Sequence, residues 1–502
     1  MGSESLRKGK SPFVEQHSCS CSYWRSFVIA REENKMTYNT MLARSFSWHE
    51  QRKLGSWAFV GSLVIAVTIF TVFKPYMSSN PPVLNLHLQL STGASLNMLM
   101  RSKEAAVEPR QSYFDTKEVK PMCNLTRPRS DFCEMNGDIR IHGNSSKIFI
   151  ASTPTQMPVG KEIWNIKPYA RKEDGIAMGR VRRITIQPAQ VLEGLPNCSR
   201  NYNIPAVVFS TGGYAGNAFH DFSDVLIPLY LTSIEFNGEV QFLITDHHSW
   251  WTDKYQPLLQ KLSKYDFIDI DQESRVLCFP RVIVGLKATN KELGIDSSES
   301  SYSMMGFRQI LRSAYSLKRE RVEKFRNDKK LGKRPRLLVI SRSQTRRLIN
   351  TRQIAKMART IGFNVVIKET GSNVSLVSEM VNSVDVMVGV HGAGLTNMVF
   401  LPEKAVVIQI IPLGDMEWIA RTFYQEPERD MNLRYLEYKI SPNESSLIQQ
   451  YPHDHEIFKD PGAISKIGWR SFRSVFLDKQ DVDLDLNRFK EVLLRALEFL
   501  HG

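Results

Sequence analysis

The segment from Val384 to Pro412 constrains the fold most, because apolar β-branched residues fill it on both sides of a glycine loop: VDVMVGVHGAGLTNMVFLPEKAVVIQIIP. Val384 to Val390 predicts a buried strand, Leu395 to Phe400 a short helix, and Ala405 to Ile411 a second strand. Strand, glycine loop, helix and strand in this order form the unit of a parallel α/β sheet. The chain is therefore predicted to contain an α/β domain built around this loop.

The glycine loop itself admits three interpretations. Gly392 and Gly394 would let backbone N–H groups approach a phosphate, and His391, Thr396 and Asn397 would add donors beside a helix N-terminus. A dinucleotide-binding fingerprint fits less well, because Asn397 occupies its third glycine position and the unit lies late in its domain. A glycine turn without any ligand is the third interpretation. The donor side chains favour the phosphate site.

A second feature predicts the compartment. Leu54 to Phe73 contains no charged residue, and as a helix it would span about 30 Å, enough to cross a bilayer. A buried core helix is one alternative; a signal peptide is another, but it would begin nearer the first residue and show a small-residue cleavage site. Arg44, Arg52 and Lys53 precede the segment and only Lys74 closely follows it. The positive-inside rule then predicts a single-pass type II protein with a cytosolic N-terminus.

Two patterns agree with a luminal location for the rest of the chain. Cys123, Cys133, Cys198 and Cys278 follow the anchor, an even number that could form up to two disulfides in an oxidising compartment, with the pairing left open. Asn-x-Ser/Thr glycosylation acceptors also follow the anchor, at Asn124, Asn144, Asn197, Asn373 and Asn443. The formal net charge of +14 favours anionic ligands or membrane surfaces, and we identify no nucleic-acid-binding module.

The predicted organisation is a cytosolic tail, an anchor, a luminal stem and two α/β domains facing a cleft, over residues 1–53, 54–73, 74–120, 121–330 and 331–502. Strands and helices alternate from Pro205 to Lys264, which predicts a parallel sheet in the first domain. Asp138 to His142 and Lys147 to Ile150 alternate in polarity like edge strands. A long basic helix is predicted from Phe307 to Lys330 as the link between the domains.

Three further groups of polar residues are candidates for a site. The loop Ser341 to Arg347 follows a predicted strand, and its Arg342 and Arg346 would suit a diphosphate, although a solvated basic loop is the alternative. His220, Asp221 and Asp224 lie at a predicted helix start; they suit a general base, but acidic residues in a first turn are also ordinary partners of the helix dipole.

The third group is Asp269 and Asp271, which could hold a divalent metal bound to a nucleotide diphosphate. Plain polarity at a strand end explains the same pattern, because the segment from Asp266 to Asp271 alternates between acidic and apolar residues. Two carboxylates at this spacing are common by chance. No metal site is therefore predicted.

The chain resembles the plant members of glycosyltransferase family 61, and its likeness is to the grass xylan-decorating arabinosyltransferases and xylosyltransferases. The motifs that carry the resemblance cover most of residues 120 to 480 and are CNLTRPRSDFCEMNGDIRIHG (Cys123 to Gly143), WNIKPYARK (Trp164 to Lys172), FSTGGYAGNAFHDFSD (Phe209 to Asp224), SRSQTRRLIN (Ser341 to Asn350) and GVHGAGLTNMVFLP (Gly389 to Pro402).

The resemblance implies an inverting, metal-independent Golgi enzyme of GT-B fold that moves a pentose from UDP-xylose or UDP-arabinofuranose to xylan, beside other xylan-synthesis enzymes. It places Glu369 by the nucleoside and His220 or Asp224 by the acceptor, although many members carry Glu where this chain has Asp224. The residues implied near the UDP diphosphate are Arg342, Arg346, Gly392, Ala393, Gly394 and Thr396. Transfer to N-glycans and a non-catalytic xylan-binding subunit are the alternative functions.

Overall fold

The computed structural model describes residues 122–151, 163–189, 195–323 and 334–501. The predicted tail, anchor and stem, residues 1–120, lie outside these ranges. Within them, no helix combines the length and the apolar character needed to span a bilayer. All of the described residues belong to one unit of the chain, and they form two β-sheets with helices packed on their faces.

The first sheet is mixed and has ten strands in the order β4-β5-β3-β2-β10-β7-β8-β9, with β1 paired to β2 and β6 to β10. Its strands β7 to β10 form a parallel group, as the alternation of strands and helices predicted. The bounds of β1 to β10 are Cys123–Asn124, Phe132–His142, Lys147–Ala151, Trp164–Ile166, Ile184–Ala189, Arg200–Asn201, Ala206–Ser210, Gln241–Thr245, Ile268–Asp269 and Val276–Val284.

The second sheet is wholly parallel and has five strands in the order β12-β11-β13-β14-β15. Every residue of β13 and β14 is buried, which explains why their sequences read as continuous apolar runs. The bounds of β11 to β15 are Arg336–Ser341, Asn364–Glu369, Val386–Val390, Val406–Ile411 and Arg434–Lys439. The predicted strand, glycine loop, helix and strand are thus present at the centre of this sheet.

Helices cover both sheets, and some of them change type along their length. The α-helices of the described residues are Gly175–Gly179, Ala218–His220, Ile227–Ser233, Ser249–Leu262, Met304–Ala314, Thr351–Thr360, Val374–Asn382, Glu417–Ala420, Glu426–Asp430, Glu456–Lys459, Pro461–Ile467, Trp469–Phe472 and Leu486–His501. The π-helical segments are Asp221–Leu226, Arg421–Gln425 and Arg473–Asp478. The 3-10 helices are Gly143–Ser145, Ile234–Phe236, Ala393–Phe400, Pro442–Glu444 and Ser446–Gln449.

The two strands predicted at a sheet edge are interior strands. Asp138 to His142 belongs to β2, which pairs with β10 on one side and with β3 on the other. Lys147 to Ile150 belongs to β3, which lies between β2 and β5. The alternation in polarity reflects burial of one face only: Ile139, Ile141 and Ile148 point into the core, while their neighbours lie nearer the solvent. The edge assignment was therefore wrong.

The long helix predicted from Phe307 to Lys330 is shorter in the structure. It ends at Ala314, and Ser316 has a left-handed backbone with φ of 54°. The basic residues that follow bind the second half of the chain instead: Arg319 pairs with Asp385 and Arg321 with Glu403. Residues 324–330 of the predicted helix lie outside the described ranges. The charges of this segment thus serve ion pairs between distant parts of the chain.

One hydrophobic cluster is shared by the two halves. It joins Phe209 and Phe242 of the first sheet to Leu338 and Val407 of the second. Burial of apolar side chains of this size contributes about 1.5–3 kcal/mol each, so this shared core stabilises the packing of the two sheets in one body. Both sets of candidate site residues follow the carboxyl ends of parallel strands in these sheets.

Candidate functional site

The glycine loop lies at the carboxyl end of β13, where ligands bind in open α/β sheets. The His391 backbone N–H extends the ladder by donating to Ile410 at 2.9 Å. Gly392 then turns the chain with φ of 147° into the 3-10 helix Ala393–Phe400. Tyr424 fixes the turn, because its hydroxyl donates to the Gly392 carbonyl at 2.9 Å. The loop therefore places the N-terminal end of a short helix at the carboxyl end of β13.

Arg342 and Arg346 point at this turn. A Cβ atom on Gly392 would lie 3.0 Å from Nη1 of each arginine, so only glycine leaves room for both guanidinium groups. Arg346 donates from Nη1 to the His391 carbonyl at 2.8 Å, and Arg342 donates from Nε to the Thr345 carbonyl at 2.8 Å. Burial and the charge of Arg342 lower the pKa of Arg346 to about 9, so Arg346 remains cationic at neutral pH.

No described carboxylate forms an ion pair with either arginine. Nε of Arg346 is fully buried and has no hydrogen-bond partner among the described residues. A buried donor without a partner costs about 1–3 kcal/mol, and two adjacent like charges repel each other. An anionic ligand with several oxygen atoms would accept a hydrogen bond from Nε of Arg346 and offset the repulsion between the two guanidinium groups. The two arginines thus form an anion site without an anion from the protein.

His391 adds a neutral donor to this site. Tyr435 donates to Oε1 of Gln409 at 2.8 Å, which turns the amide nitrogen of Gln409 towards Nδ1 of His391 at 2.6 Å. Nδ1 therefore accepts, and the proton of the neutral ring lies on Nε2. Burial and the two nearby arginines lower the pKa of His391 to about 3. His391 can donate a hydrogen bond at neutral pH without adding a third positive charge.

The other residues predicted to bind the donor are distributed around the same loop. Ala393 and Gly394 begin the 3-10 helix, and Thr396 is buried within it. Asn397 is turned inward, because its Nδ2 donates to the Gly394 carbonyl at 2.9 Å. Glu369 ends β12 and accepts from the Ser343 backbone and hydroxyl at 3.1 and 2.8 Å. Glu369 therefore lies next to the loop that carries Arg342.

The candidate base lies on a helix of the first half that contacts the glycine loop. Asn217 caps this helix by accepting from the Phe219 backbone at 3.0 Å. The helix continues as Ala218–His220, widens to π geometry over Asp221–Leu226 and returns to α geometry at Ile227. Segments of π-helix are rare and frequently occur at functional sites. Ala218–His220 packs against the 3-10 helix Ala393–Phe400.

Asp224 is the centre of a buried network of charges. Arg171 binds it through two hydrogen bonds of 2.7 Å, and Arg129 and Tyr169 donate to it at 3.1 and 3.0 Å. Its side chain has no solvent exposure. Although burial raises the pKa of Asp224, Arg171 and His220 together hold it well below its usual range. A carboxylate of such low basicity, enclosed by donors, cannot take a proton from a sugar hydroxyl efficiently.

His220 is the better candidate for the base. Its Nδ1 lies 2.9 Å from Oδ2 of Asp224. A carboxylate only accepts hydrogen bonds, so Nδ1 carries the proton and the basic lone pair of the neutral ring lies on Nε2. This is the arrangement in which an acid orients a histidine and stabilises the imidazolium ion that forms when it takes a proton. The two residues thus differ in basicity and in hydrogen bonding, which makes His220 a candidate for the base and Asp224 a candidate for the residue that orients it.

Asp221 points away from His220 and is saturated with donors. Its side chain accepts from the Gly216 backbone at 2.9 Å, from Trp251 at 2.8 Å, from Tyr255 at 2.8 Å and from Lys254 at 3.1 Å. It is fully buried. These contacts connect the helix that carries His220 to the helix Ser249–Leu262, so Asp221 is a candidate for a positioning residue.

Aromatic rings connect the two parts of the site. Phe219, next to His220, stacks on Phe423 with a centroid separation of 4.4 Å. Phe423 in turn lies parallel to His391 at 6.4 Å. Phe423 and Tyr424 both belong to the π-helical segment Arg421–Gln425. Two π-helical segments, one from each half of the chain, therefore adjoin the site.

Asp269 and Asp271 lie away from the glycine loop. Asp269 pairs with His247 at 3.3 Å, and Asp271 accepts from the Thr245 hydroxyl at 2.7 Å and pairs with Arg182 at 3.3 Å. Neither residue belongs to a group of three metal-ligating side chains among the described residues. Among the described residues, Asp138, Cys198 and Cys278 do form such a group, but the two sulfurs are joined in a disulfide.

The four cysteines from Cys123 onward form two disulfides, Cys123 with Cys133 and Cys198 with Cys278. The first pair joins residues 10 positions apart and closes a small loop. The second pair joins residues 80 positions apart, and its loop contains the helix that carries His220. Of the predicted glycosylation sites, Asn124 is half-buried and the exposed ones are Asn144, Asn197, Asn373 and Asn443.

Sequence reasoning missed three charged residues of the Asp224 network. Arg129, Arg171 and Glu292 come from separate parts of the chain, and Arg171 donates to Glu292 at 3.1 Å while it holds Asp224. Charge pairs that form only in the tertiary structure leave no local pattern. One signal in the sequence could have pointed to Arg129 and Arg171. Both lie inside motifs that carry the family resemblance, and neither arginine was assigned a role from the sequence.

The Asp224 network leads to a prediction about stability. Replacing Asp224 by Asn removes the carboxylate that Arg171 and Arg129 share, and we expect the free energy of unfolding to fall by about 3 kcal/mol. The pKa of Asp224 in the folded state is below the ordinary 3.8. Asp224 therefore stabilises the wild type above about pH 4, and this contribution is lost as the pH falls through the folded-state pKa.

Urea unfolding of the wild type and of Asp224→Asn between neutral and acid pH measures both effects. Glu437→Gln is the matched control, because Glu437 pairs with Arg421 on the surface, where the side chains are 31% and 50% exposed. Its loss should cost less than about 1 kcal/mol. Equal stability of the Asp224 and Glu437 variants would contradict the buried network.

Comparison with known proteins identifies the family. The glycosyltransferase 61 family model matches residues 219–408, a range that contains His220, Arg342, Arg346 and His391. The chain is 48% identical over 386 residues to the rice (Oryza sativa subsp. japonica) alpha-1,3-arabinosyltransferase XAT2, across 76% of this chain and 65% of that protein. It thus spans just under two thirds of the length of that relative.

Two further relatives are covered over more of their length. The identity to the rice beta-1,2-xylosyltransferase XYXT1 is 38% over 457 residues, across 87% of this chain and 95% of that protein. The identity to the Arabidopsis thaliana xylan glycosyltransferase MUCI21 is 39% over 397 residues, across 76% of this chain and 80% of that protein. The family predicted from the motifs is confirmed: this chain belongs to glycosyltransferase family 61.

Proposed function

We propose that this protein is an inverting glycosyltransferase that adds a pentose from a UDP-sugar to the xylan backbone, as a β-1,2-xylosyl or α-1,3-arabinofuranosyl residue. The observation that carries the proposal is the pair of guanidinium groups at Gly392, which lack a protein anion and lie across a shared core from the His220–Asp224 pair. The relatives, two pentosyltransferases and a xylan glycosyltransferase, support the substrate classes.

In the proposed reaction, Nε2 of His220 takes the proton from the acceptor hydroxyl. The acceptor oxygen forms a bond to C1 of the pentose from the face opposite UDP, so the configuration at C1 inverts. The bond from C1 to the β-phosphate oxygen breaks, and its electron pair stays on that oxygen. Arg342 and Arg346 stabilise the additional charge on UDP, and His391 donates a hydrogen bond to it. Asp224 stabilises the imidazolium ion of His220.

The two arginines also support a metal-independent mechanism. A divalent cation in nucleotide-sugar chemistry neutralises the diphosphate, and two guanidinium groups supply the same positive charge with directed hydrogen bonds. We therefore propose that the enzyme needs neither a metal nor another cofactor. We further propose a GT-B arrangement, in which residues 331–502 bind the donor, with Glu369 near the nucleoside, and residues 121–330 bind the acceptor.

For the cell, we propose a single-pass type II protein of the Golgi membrane, anchored by residues 54–73, that works beside other xylan-synthesis enzymes. The pairing of its luminal cysteines supports an oxidising compartment, where disulfides form and persist. The exposure of Asn144, Asn197, Asn373 and Asn443 is compatible with N-linked glycans at these positions.

The experiment that tests the function is an assay of the full chain with xylohexaose and a panel of UDP-sugars. We expect turnover with UDP-arabinofuranose or UDP-xylose that persists in EDTA, because the arginines replace the metal. UDP-arabinofuranose is tested first, since the identity to the arabinosyltransferase is the higher of the two. Turnover on an N-glycan alone, or xylan binding without turnover for any donor, would contradict the proposal.

A further inference from the structure

A cavity opens at the carboxyl edge of the first sheet. It encloses about 420 Å³ and lies where β7, β8 and β9 end. Its lining residues come directly after these strands: Gly212 and Gly213 follow β7, Asp246 to His248 follow β8, and Asp269 ends β9. No residue of the glycine loop lines it. The cavity is therefore separate from the anion site in the second half of the chain.

The electrostatic character of this cavity differs from that of the anion site. Its lining contains two arginines and three carboxylates, and the charges are largely paired. Arg182 lies 3.3 Å from Asp271, and its backbone N–H donates to Asp246 at 2.8 Å. The Ser210 hydroxyl also donates to Asp246, at 2.7 Å. A lining of paired charges and hydrogen-bonding groups suits an uncharged polar ligand better than a phosphate.

Two exposed aromatic side chains pack on histidines of the lining. Trp250 is 48% exposed and stacks on His248 of the lining, with the centroids 5.5 Å apart and the planes 20° apart. Phe267 is 38% exposed and packs on the neighbouring His247 at 5.0 Å. A sugar ring has one apolar face of C–H groups and a rim of hydroxyls. An exposed aromatic ring can pack against the C–H face, and the neighbouring carboxylates and imidazoles can form hydrogen bonds with the hydroxyl groups.

The cavity also adjoins the candidate base. Its lining residues Gly213 and Ala215 flank Tyr214, and the ring of Tyr214 lies 4.6 Å from the ring of His220. Trp250 continues the surface on the same side, because it lies 3.2 Å from the position that a Cβ atom of Gly216 would occupy. A polymer whose hydroxyl reaches His220 would therefore have its neighbouring residues over this cavity.

We propose that this cavity binds the sugar residues of a neutral oligosaccharide acceptor that flank the residue receiving the pentose. Trp250 packs against the face of one sugar ring, and Asp269 with His247 binds hydroxyl groups. This inference rests on the proposed function, because it assigns a location to the acceptor of that reaction. It makes Trp250 and Asp269 determinants of acceptor affinity, separate from the donor site.

The test measures binding of xylohexaose to the full chain by calorimetry in the absence of donor, and binding of UDP in parallel. We expect Trp250→Ala and Asp269→Asn each to weaken xylohexaose binding about tenfold and to leave UDP binding unchanged. Trp250→Phe should keep most of the affinity, because an aromatic face remains. Asp266→Asn is the matched control, since Asp266 is exposed and outside the lining.

The outcomes separate this inference from the proposed function. Xylohexaose affinities equal to wild type in Trp250→Ala and Asp269→Asn would overturn the inference, even if the wild type transfers a pentose. Reduced UDP affinity in these variants would overturn it as well. Binding of xylohexaose that depends on Trp250, in a protein that transfers no pentose, would support the inference and contradict the proposed function.

Discussion

Replacing His220 by Gln is expected to reduce kcat roughly a thousandfold while the affinity for UDP stays unchanged. General base catalysis by a positioned side chain contributes about 10²–10⁴-fold, and Gln offers no basic atom at the position of Nε2. The residue lies in the first half of the chain, whereas the anion site is built by the second half. Initial rates with xylohexaose and calorimetry with UDP measure the two effects separately.

His453→Gln is the matched control for this variant, because His453 is exposed and belongs to neither part of the site. Its rate should equal that of the wild type. The Asp224→Asn variant should also lose rate and keep UDP binding, since Asp224 acts by orienting Nδ1 of His220. Full activity of His220→Gln, with loss of activity confined to Asp224→Asn, would show that the carboxylate and not the imidazole is the base.

Replacing Arg346 by Gln is expected to weaken UDP binding about a hundredfold. A charge-assisted hydrogen bond contributes about 1.5–3 kcal/mol, and Arg346 lies where it can supply more than one such bond to a diphosphate. Its loss also removes the support of the His391 carbonyl, to which Nη1 donates. Calorimetry with UDP measures the loss. Arg342→Lys should weaken binding as well, because an ammonium group keeps the charge but not the planar fork of donors.

Arg347→Gln is the matched control for the arginine variants. Arg347 is adjacent in sequence, but its side chain is 55% exposed and pairs with Asp481 at 2.6 Å. We expect its UDP affinity to equal that of the wild type. If Arg347→Gln weakened UDP binding as much as Arg346→Gln, general basic charge would explain the attraction of UDP, and the directed site at Gly392 would be excluded.

The two strands β13 and β14 of the second sheet were predictable from the sequence, because each is a short apolar run buried on both faces. The run predicted at Val384 to Val390 and the strand observed at Val386–Val390 differ only at one end. The loop that follows was predictable for the same local reason: Gly392 and Gly394 mark the turn, and the strand before it ends at a sheet edge where ligands bind. Local patterns were sufficient for these two strands and for the loop between them.

The first half was less predictable, because its arrangement depends on contacts between distant residues. Strand β2 pairs with β10, which lies more than a hundred positions later in the chain, and nothing near β2 records that partner. The division of roles between His220 and Asp224 depends equally on Arg129 and Arg171. Without knowledge of those two cations, the sequence gives no reason to prefer one of His220, Asp221 and Asp224 as the general base.

The π-helical segment Asp221–Leu226 has a consequence for how this enzyme can change. A π-helical turn holds one residue more than an α-helical turn and is equivalent to a single inserted residue. Deleting one residue between His220 and Asp224 would restore α-helical geometry there and shorten their spacing from four positions to three. The contact of Nδ1 of His220 with Oδ2 of Asp224 therefore depends on the number of residues in this segment as well as on their identity.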